Sequence, residues 1–363
     1  MPAAVIEVVE PTLVSEAGHC AALFRGLHAA APDLRFELWI DRRAQLPGWI
    51  GAGTVLRPYF RRRWRKLQAI PLYARLLRAG APVLVPTAGY FDLRALDFAA
   101  HGRIAPQRAF LYFHKLRMSA SRMRALAGLA RRQPDLELFG TSEEIVARLR
   151  EAGFTQVRRV LPVLSGAGPQ DGQASFRYLL SAGAARADKG FGRIVDLAQL
   201  LARSGAPLPL AIQTSGDHYG RYDERTREDL ERLRQVAYPG LTLLSDTLDG
   251  AGYAALFPGS VCLQPYEPAE YADKMSSVTF DALRAGAPVV TLAGTTMARI
   301  VAQTGAGIVI ADARPETLLQ AALEVVARYP EFHARAMAAG AQYRPDASWA
   351  PLVERLRLGA ALP

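Results

Sequence analysis

The chain has 363 residues, half of them apolar and about a fifth charged, a balance that fits two ordinary globular domains of roughly 100–200 residues each. No apolar run approaches the ~18–20 residues needed to cross a bilayer. The N-terminal MPAAVIEVVEP lacks a basic start, so no secretory signal is expected, and Cys20 and Cys262 stand in no metal or redox spacing, which fits a reducing cytoplasm.

In chain order, AVIEVVEP reads as a short buried strand ended by Pro11, and SEAGHCAALFRGLHAAAP as a loop and helix. RFELWID, PVLVPTA, RAFLYFH and LELFGTS are further strands with helical segments between them. SEEIVARLREAGF is an amphipathic helix with Ser142 as its N-cap and Gly153 at its end. The Gly-, Ser- and Gln-rich 166–175 reads as a linker, after which the alternation restarts at FRYLLSAG and runs to GIVIAD. This predicts an α/β chain of two doubly wound domains, 1–165 and 176–345, with an amphipathic segment at 346–363 returning to the first. Ligands of such sheets sit beyond the carboxyl ends of the strands, so residues just after strands are the first candidates.

The net charge of +10 is uneven: residues 1–165 carry 25 Lys+Arg against 13 Asp+Glu, or +12, and the remainder is −2. An uneven basic field predicts an anionic partner: a nucleic acid, an acidic membrane surface or a phosphorylated ligand. Six basic residues lie between Arg57 and Lys66, including Arg61, Arg62, Arg63 and Arg65, interleaved with Tyr59, Phe60 and Trp64. Such a run docks on anionic headgroups without spanning the bilayer, or is simply a solvated loop. No helix-turn-helix, zinc-finger or RNA-binding signature accompanies it, so nucleic acid is not expected as a partner.

The richest stretch is YADKMSSVTFDALRAGAPVV, residues 271–290. It opens a helix after a strand and loop. The amides of Ser276, Ser277 and Val278 would face outward at the first turn, with Lys274 as counter-charge. A helix start of this kind binds phosphate, and Asp281, about one turn on, is placed to accept from a ribose diol. The alternative is a helix capped by Ser276 with Asp281 on a solvated face. Earlier, GAARADKGF (183–191) offers Gly183 for close backbone approach and the cations Arg186 and Lys189 as a diphosphate clamp, or a solvated turn with incidental charges. Gly18 opens a helix in the first domain, with His19 following. His114, at a strand's end, suits hydrogen-bonding or acid–base work or packs under Lys115 and Arg117. There is no G-x-S-x-G elbow, P-loop, HExxH or Cys/His cluster, and no G-x-G-x-x-G after a first strand, which speaks against a dehydrogenase.

Taken in order, GAARADKGF, LQPYEPAEY, DKMSSVTFDALRAGAPVV and TGAGIVI resemble glycosyltransferase family 4, the retaining nucleotide-sugar enzymes of the GT-B fold; EAGHCAALFRGL and LFGTSEEIVARLREAGF match more loosely. The resemblance implies two Rossmann-like domains facing across a cleft, acceptor bound by the first and nucleotide sugar by the second. The family's pair of Glu separated by seven residues corresponds to Asp273 and Asp281, followed by Ala282 and Gly-Ala-Pro. Asp281 then takes the ribose, Asp273 lies near the donor sugar, and Ser276 and Ser277 meet the distal phosphate. Lys189 matches the family Lys. Ala184 stands where the family often has Arg, with Arg186 the nearest substitute. His114 would contact the sugar and Gly18 would let the first domain close on the phosphates. The resemblance implies no metal or other cofactor, UDP over GDP, a lipid-linked or other glycan acceptor, and a cytoplasmic protein peripheral on the inner face of the membrane. The rival expectation is a non-catalytic member that binds a nucleotide sugar or a partner subunit.

Overall fold

Short runs of wholly buried apolar residues, such as Ala109–Phe113 and Ser260–Gln264, become the central strands of two parallel sheets, because a parallel sheet is covered on both faces. The computed structural model describes residues 5–16, 19–46, 53–116, 118–161, 175–205, 208–214, 222–246 and 248–362. The chain divides into two units: Met1–Leu164 with Pro345–Pro363, and Ser165–Arg344.

The first unit holds strands β1 (Val5–Val9), β2 (Arg35–Asp41), β3 (Thr54–Phe60), β4 (Val83–Val85), β5 (Ala109–Phe113), β6 (Glu137–Gly140) and β7 (Val157–Arg159), in the order β3-β2-β1-β4-β5-β6-β7. β1 pairs in parallel with β2 on one side and β4 on the other, Val8 facing Leu84. The helix Glu143–Glu151 begins where the Ser142 hydroxyl accepts from Ile145 N–H, and Gly153 follows it with φ +97°. The last helix, Pro345–Ala361, buries Trp349, Leu352, Val353 and Leu356 in this unit's core beside Phe24, Phe36 and Tyr112. Arg355 on that helix and Arg158 on β7 both hold the buried carboxylate of Glu137.

The second unit holds β8 (Tyr178–Ser181), β9 (Leu210–Gln213), β10 (Leu241–Leu244), β11 (Ser260–Gln264), β12 (Val289–Leu292) and β13 (Gly307–Ile310), in the order β10-β9-β8-β11-β12-β13. Both sheets run outward from their first strand and then cross back to its other side. In such sheets the ligand crevice opens where the order reverses, here between β1 and β4 and between β8 and β11.

One sequence expectation needs correction. Arg57–Lys66 is not one surface segment: Arg57–Phe60 belongs to β3 and Lys66 to the helix Arg65–Arg78. Phe60 is fully buried and Tyr59 packs edge-on against it and Trp39, so the core claims these two aromatics. Arg61, Arg62, Arg63 and Trp64 remain exposed. The linker 166–175 lies, except for Ser175, outside the described residues.

Candidate functional site

Two loops meet at the switch point of the second unit, Ala182–Gly190 after β8 and Pro265–Ser276 after β11. Gly183 takes φ +94°, and its N–H donates to Gln213 Oε1 at 2.6 Å. A Cβ added there would lie 2.5 Å from Lys189 Nζ and 3.5 Å from Val278 Cγ2. The ammonium of Lys189 and the first turn of the helix Ser277–Arg284 therefore converge on the Gly183 backbone. A single turn, Ala187–Lys189, leads to Gly190 (φ +69°), where a Cβ would meet the Pro265 carbonyl at 2.0 Å. Arg193 donates to Pro265 O and Glu267 Oε2, both at 2.8 Å, and Glu267 N–H donates to Asp188 O at 3.0 Å. These contacts fasten the two loops together.

The electrostatics of this corner are unbalanced. Burial, then the neighbouring charges of Arg186 and Lys274, pull the Lys189 pKa down to about 8, against the opposing pull of Asp188. Among the described residues no hydrogen bond or ion pair reaches Lys189 Nζ, which lies 5.7 Å from the centre of the Tyr266 ring. Arg186 pairs with Asp188. Lys274 Nζ lies 3.6 Å from Asp188 Oδ2 and 4.5 Å from the Tyr271 ring centre. Arg186 and Lys274 thus both approach the Asp188 carboxylate, with Lys189 beside them. A cation cluster disfavoured by its own surroundings is a functional-site signature, because an incoming anion relieves the repulsion.

The helix Ser277–Arg284 starts without a side-chain cap, which removes the reading of Ser276 as a capping residue. Thr279 N–H bonds to Ser276 O at 3.2 Å. Among the described residues the amides of Ser277 and Val278 have no protein acceptor; these are the orphan donors of a helix start. Asp281 is 8% exposed, not on a solvated face; burial, then the nearby Asp281 carboxylate, pushes the pKa of the Tyr253 hydroxyl well up. Beneath it, burial pushes the Cys262 thiol up to about 12 and leaves it an inert core group. Asp273 is 4% exposed. Its loop is held from the next helix, Thr296 Oγ1 donating to Lys274 O at 2.6 Å and Arg299 to Ala272 O at 2.8 Å.

Of the candidates in the second unit, Gly183, Lys189 and Val278 meet at one point, with Arg186, Lys274 and Ser276 on the same two loops and Ser277 at the start of the helix. Asp281 lies one turn into the helix. Sequence reasoning missed Tyr253 and Gln213, which carry no motif and reach the site only through folding, and gave no role to Tyr266 within LQPYEPAEY. In the first unit, His114 follows β5, contacts the Tyr112 ring at 4.4 Å, and its Nε2 donates to Pro86 O at 3.0 Å. The backbone therefore takes one of its two nitrogens. Gly18 lies outside the described residues, as does the side chain of His19. A further buried carboxylate, Glu10, follows β1 at the first unit's switch point; Thr12 N–H (3.1 Å), Thr12 Oγ1 and Thr87 Oγ1 (2.6 Å) all donate to it.

No protein-family model matches the sequence, and no curated protein sequence matches it. Solved structures do. Sucrose-phosphate synthase from Thermosynechococcus elongatus superposes with a TM-score of 0.66 at 16% identity, covering 97% of both chains. WaaG, a glycosyltransferase involved in lipopolysaccharide biosynthesis, gives 0.64 at 13% identity over 95% of this chain and 99% of its own. HepE of Anabaena, in complex with UDP and glucose, gives 0.65 at 13% over 97% and 99%. With two parallel Rossmann-like sheets and near-complete coverage, the chain has the GT-B fold of these proteins.

Proposed function

We propose that the chain is a glycosyltransferase that takes a sugar from a nucleotide diphosphate sugar, a UDP-sugar by preference, and transfers it with retained anomeric configuration to a hydroxyl of a lipid-linked or cell-envelope polysaccharide acceptor. The observation that carries this reading is the ammonium of Lys189, which is held against Gly183 beside Arg186, Lys274 and the open amides of Ser277 and Val278. HepE is solved with UDP and glucose, and WaaG works in lipopolysaccharide biosynthesis; both support the reading by sharing the fold.

In this proposal the costly event is departure of the nucleotide diphosphate from an oxocarbenium-like centre. Lys189, Arg186 and the amides of residues 276–278 stabilise the negative charge that develops on the leaving group. Preorganised donors of this kind contribute about 3 kcal/mol each to a transition state. Asp281 accepts from the ribose, and Asp273 lies beside the donor sugar. His114 hydrogen-bonds sugar hydroxyls, and the leaving phosphate takes the acceptor's proton, so no dedicated protein base is needed. No metal ion takes part, and turnover in excess EDTA is expected to equal turnover without it.

The test is a thermal-shift and turnover panel of UDP-, GDP-, ADP- and dTDP-sugars, repeated with Asp281→Ala. The reading expects one donor class to stabilise the protein, the shift to vanish in the variant, and the donor to be transferred or hydrolysed. Binding without any turnover of the donor would make the chain a nucleotide-sugar binder instead. For the acceptor side, the exposed Arg61, Arg62, Arg63 and Lys66 surround Trp64, itself 51% exposed. This patch is proposed to dock on anionic vesicles in a salt-sensitive way. Among the described residues no helix is long and apolar enough to cross a membrane. Undiminished vesicle binding after Arg61, Arg62 and Arg63 are changed to Ser would remove the membrane from the proposal.

A further inference from the structure

One carboxylate stands beside Arg186, Lys189 and Lys274, that of Asp188, and no ligand role has been given to it. Asp188 sits in the turn Ala187–Lys189 and pairs with Arg186, two residues before it. Its Oδ2 lies 3.6 Å from Lys274 Nζ, which comes from the facing loop. The turn that carries it is braced independently of the carboxylate. Its backbone carbonyl accepts from Glu267 N–H at 3.0 Å, and Arg193 holds Glu267 at 2.8 Å. The side chain is only 18% exposed, against 49% for Arg186 and 26% for Lys274. A short, fixed acid therefore faces two long side chains with several rotatable bonds each.

We propose that Asp188 is a built-in stand-in for a ligand phosphate. Its carboxylate holds Arg186 and Lys274 while the site is empty, yields them to the diphosphate of an entering nucleotide, and takes them back as the nucleotide leaves. This inference rests on the nucleotide-diphosphate reading of the site and adds a role in release.

The physical reason is one of like charges. A diphosphate that engages Lys189 and the amides of Ser277 and Val278 comes within a few ångströms of the Asp188 carboxylate. It competes with that carboxylate for the same two cations, and the two anions repel. In a partly buried site this repulsion is weakly screened. Asp188 thus keeps the clamp assembled without a ligand and weakens its hold on a bound one, which favours turnover over retention.

Asp188 also bears on Lys189. The groups that face that ammonium are Arg186 and Asp188 on its own turn, Lys274 on the facing loop, Cys262 on β11 and Tyr266 after it. Of these, Asp188 is the charged group that favours the protonated ammonium. Without its charge, the empty site holds the Lys189 proton less well at pH 8, and anion binding must draw more protons from solution.

The test compares the full chain with Asp188→Asn, which keeps the shape of the side chain and removes its charge. UDP and inorganic pyrophosphate are titrated calorimetrically at pH 7 and pH 8, each in two buffers of different ionisation enthalpy, and UDP dissociation is followed by stopped flow. The inference expects the Asn variant to bind UDP about tenfold tighter, to release it correspondingly more slowly, and to take up more protons on binding at pH 8. Pyrophosphate should follow the same trend, which locates the effect at the phosphates. A role confined to bracing the turn would leave the proton uptake unchanged. Equal or weaker UDP binding by a variant that melts like the wild type overturns the inference. If Asp188→Asn does not fold, Asp188→Ser is judged by the same criteria. A wild-type chain that binds none of UDP, GDP, ADP, dTDP or pyrophosphate refutes the nucleotide reading itself, an outcome distinct from failure of the Asp188 role alone.

Discussion

Replacing Gly183 with Ala separates the site's architecture from its chemistry. The native residue has φ +94°, a conformation that costs an L-residue about 1–2 kcal/mol. The added methyl would lie 2.5 Å from Lys189 Nζ and 3.9 Å from Lys189 Cε, the far end of a flexible side chain, and otherwise only 3.5 Å from Val278 Cγ2. The least costly relaxation is for the ammonium to swing away while the backbone stays. The expected loss of stability is therefore the conformational cost alone, about 1–2 kcal/mol, or a fall in Tm of roughly 3–6 °C for a domain of this size. The expected loss of ligand affinity is larger. A hydrogen bond to a charged group contributes about 1.5–3 kcal/mol, so the nucleotide diphosphate should bind about ten- to a hundredfold more weakly. Calorimetric titration at a temperature where both proteins are folded measures the second quantity, and a thermal melt the first. Gly190→Ala is the contrast, because its methyl would meet the Pro265 carbonyl at 2.0 Å, an unyielding backbone atom, and the second unit should fail to fold. Unchanged affinity in Gly183→Ala would refute the claim that the Lys189 ammonium must lie against this glycine to engage the ligand.

Other consequences follow from the same charges. Lys189→Met should raise Tm at pH 7 while weakening the binding of a nucleotide diphosphate. The lysine's folded pKa of about 8 lies below its ordinary 10.5, so below pH 8 the folded state holds a proton it disfavours; a lower Tm in the variant would contradict this. For the wild type the unfolded chain binds the extra proton between pH 8 and 10.5, so Lys189's contribution makes stability rise with pH across that window. Nucleotide affinity should run the other way, weakening as pH rises through about 8, which titrations from pH 6.5 to 9.5 will show. Glu137→Gln leaves Arg158 and Arg355 without their buried carboxylate and should cost about 3 kcal/mol. Urea unfolding measures this, and a loss under 1 kcal/mol would mean that the apolar face around Trp349 alone secures the last helix.

The α/β class and the repeated wound sheet were legible because buried parallel strands are short apolar runs, and AFLYF and SVCLQ leave no other reading. β3 was not legible. TVLRPYF lies at the sheet edge with a Pro and an Arg, and its burial pattern is half exposed, so in sequence it merges with the basic residues beyond it. Phe60 and Tyr59 pointed to the surface only because the strand that turns them inward was missed. At the site, the glycine and the cations stood out from residue type, since Gly183 and Lys189 are six positions apart on one loop. The partners that tune them did not. Tyr253, Tyr266 and Cys262 approach Lys189 and Asp281 from other segments, and nothing in a single sequence says which tyrosine faces which lysine.

The structure also adds something that motif spacing does not contain. A lysine beside an arginine in a loop is ordinarily a solvated pair with a normal pKa. Here β8 and β11 are neighbours in the sheet, with Val261 facing Leu179, although about 80 residues separate them in sequence. That pairing brings Lys274 and the start of the helix Ser277–Arg284 against the loop of Lys189. The proximity turns scattered charges into a site whose empty form is electrostatically strained. On the proposed reading, an anion with two phosphates is expected to satisfy the ammonium, the guanidinium and the open amides at once, whereas the Asp188 carboxylate reaches only two of the cations closely. The preference for a diphosphate over a monophosphate is thus expected to come from Lys189, and Lys189→Met should bind UDP and UMP with nearly equal affinity while the wild type favours UDP.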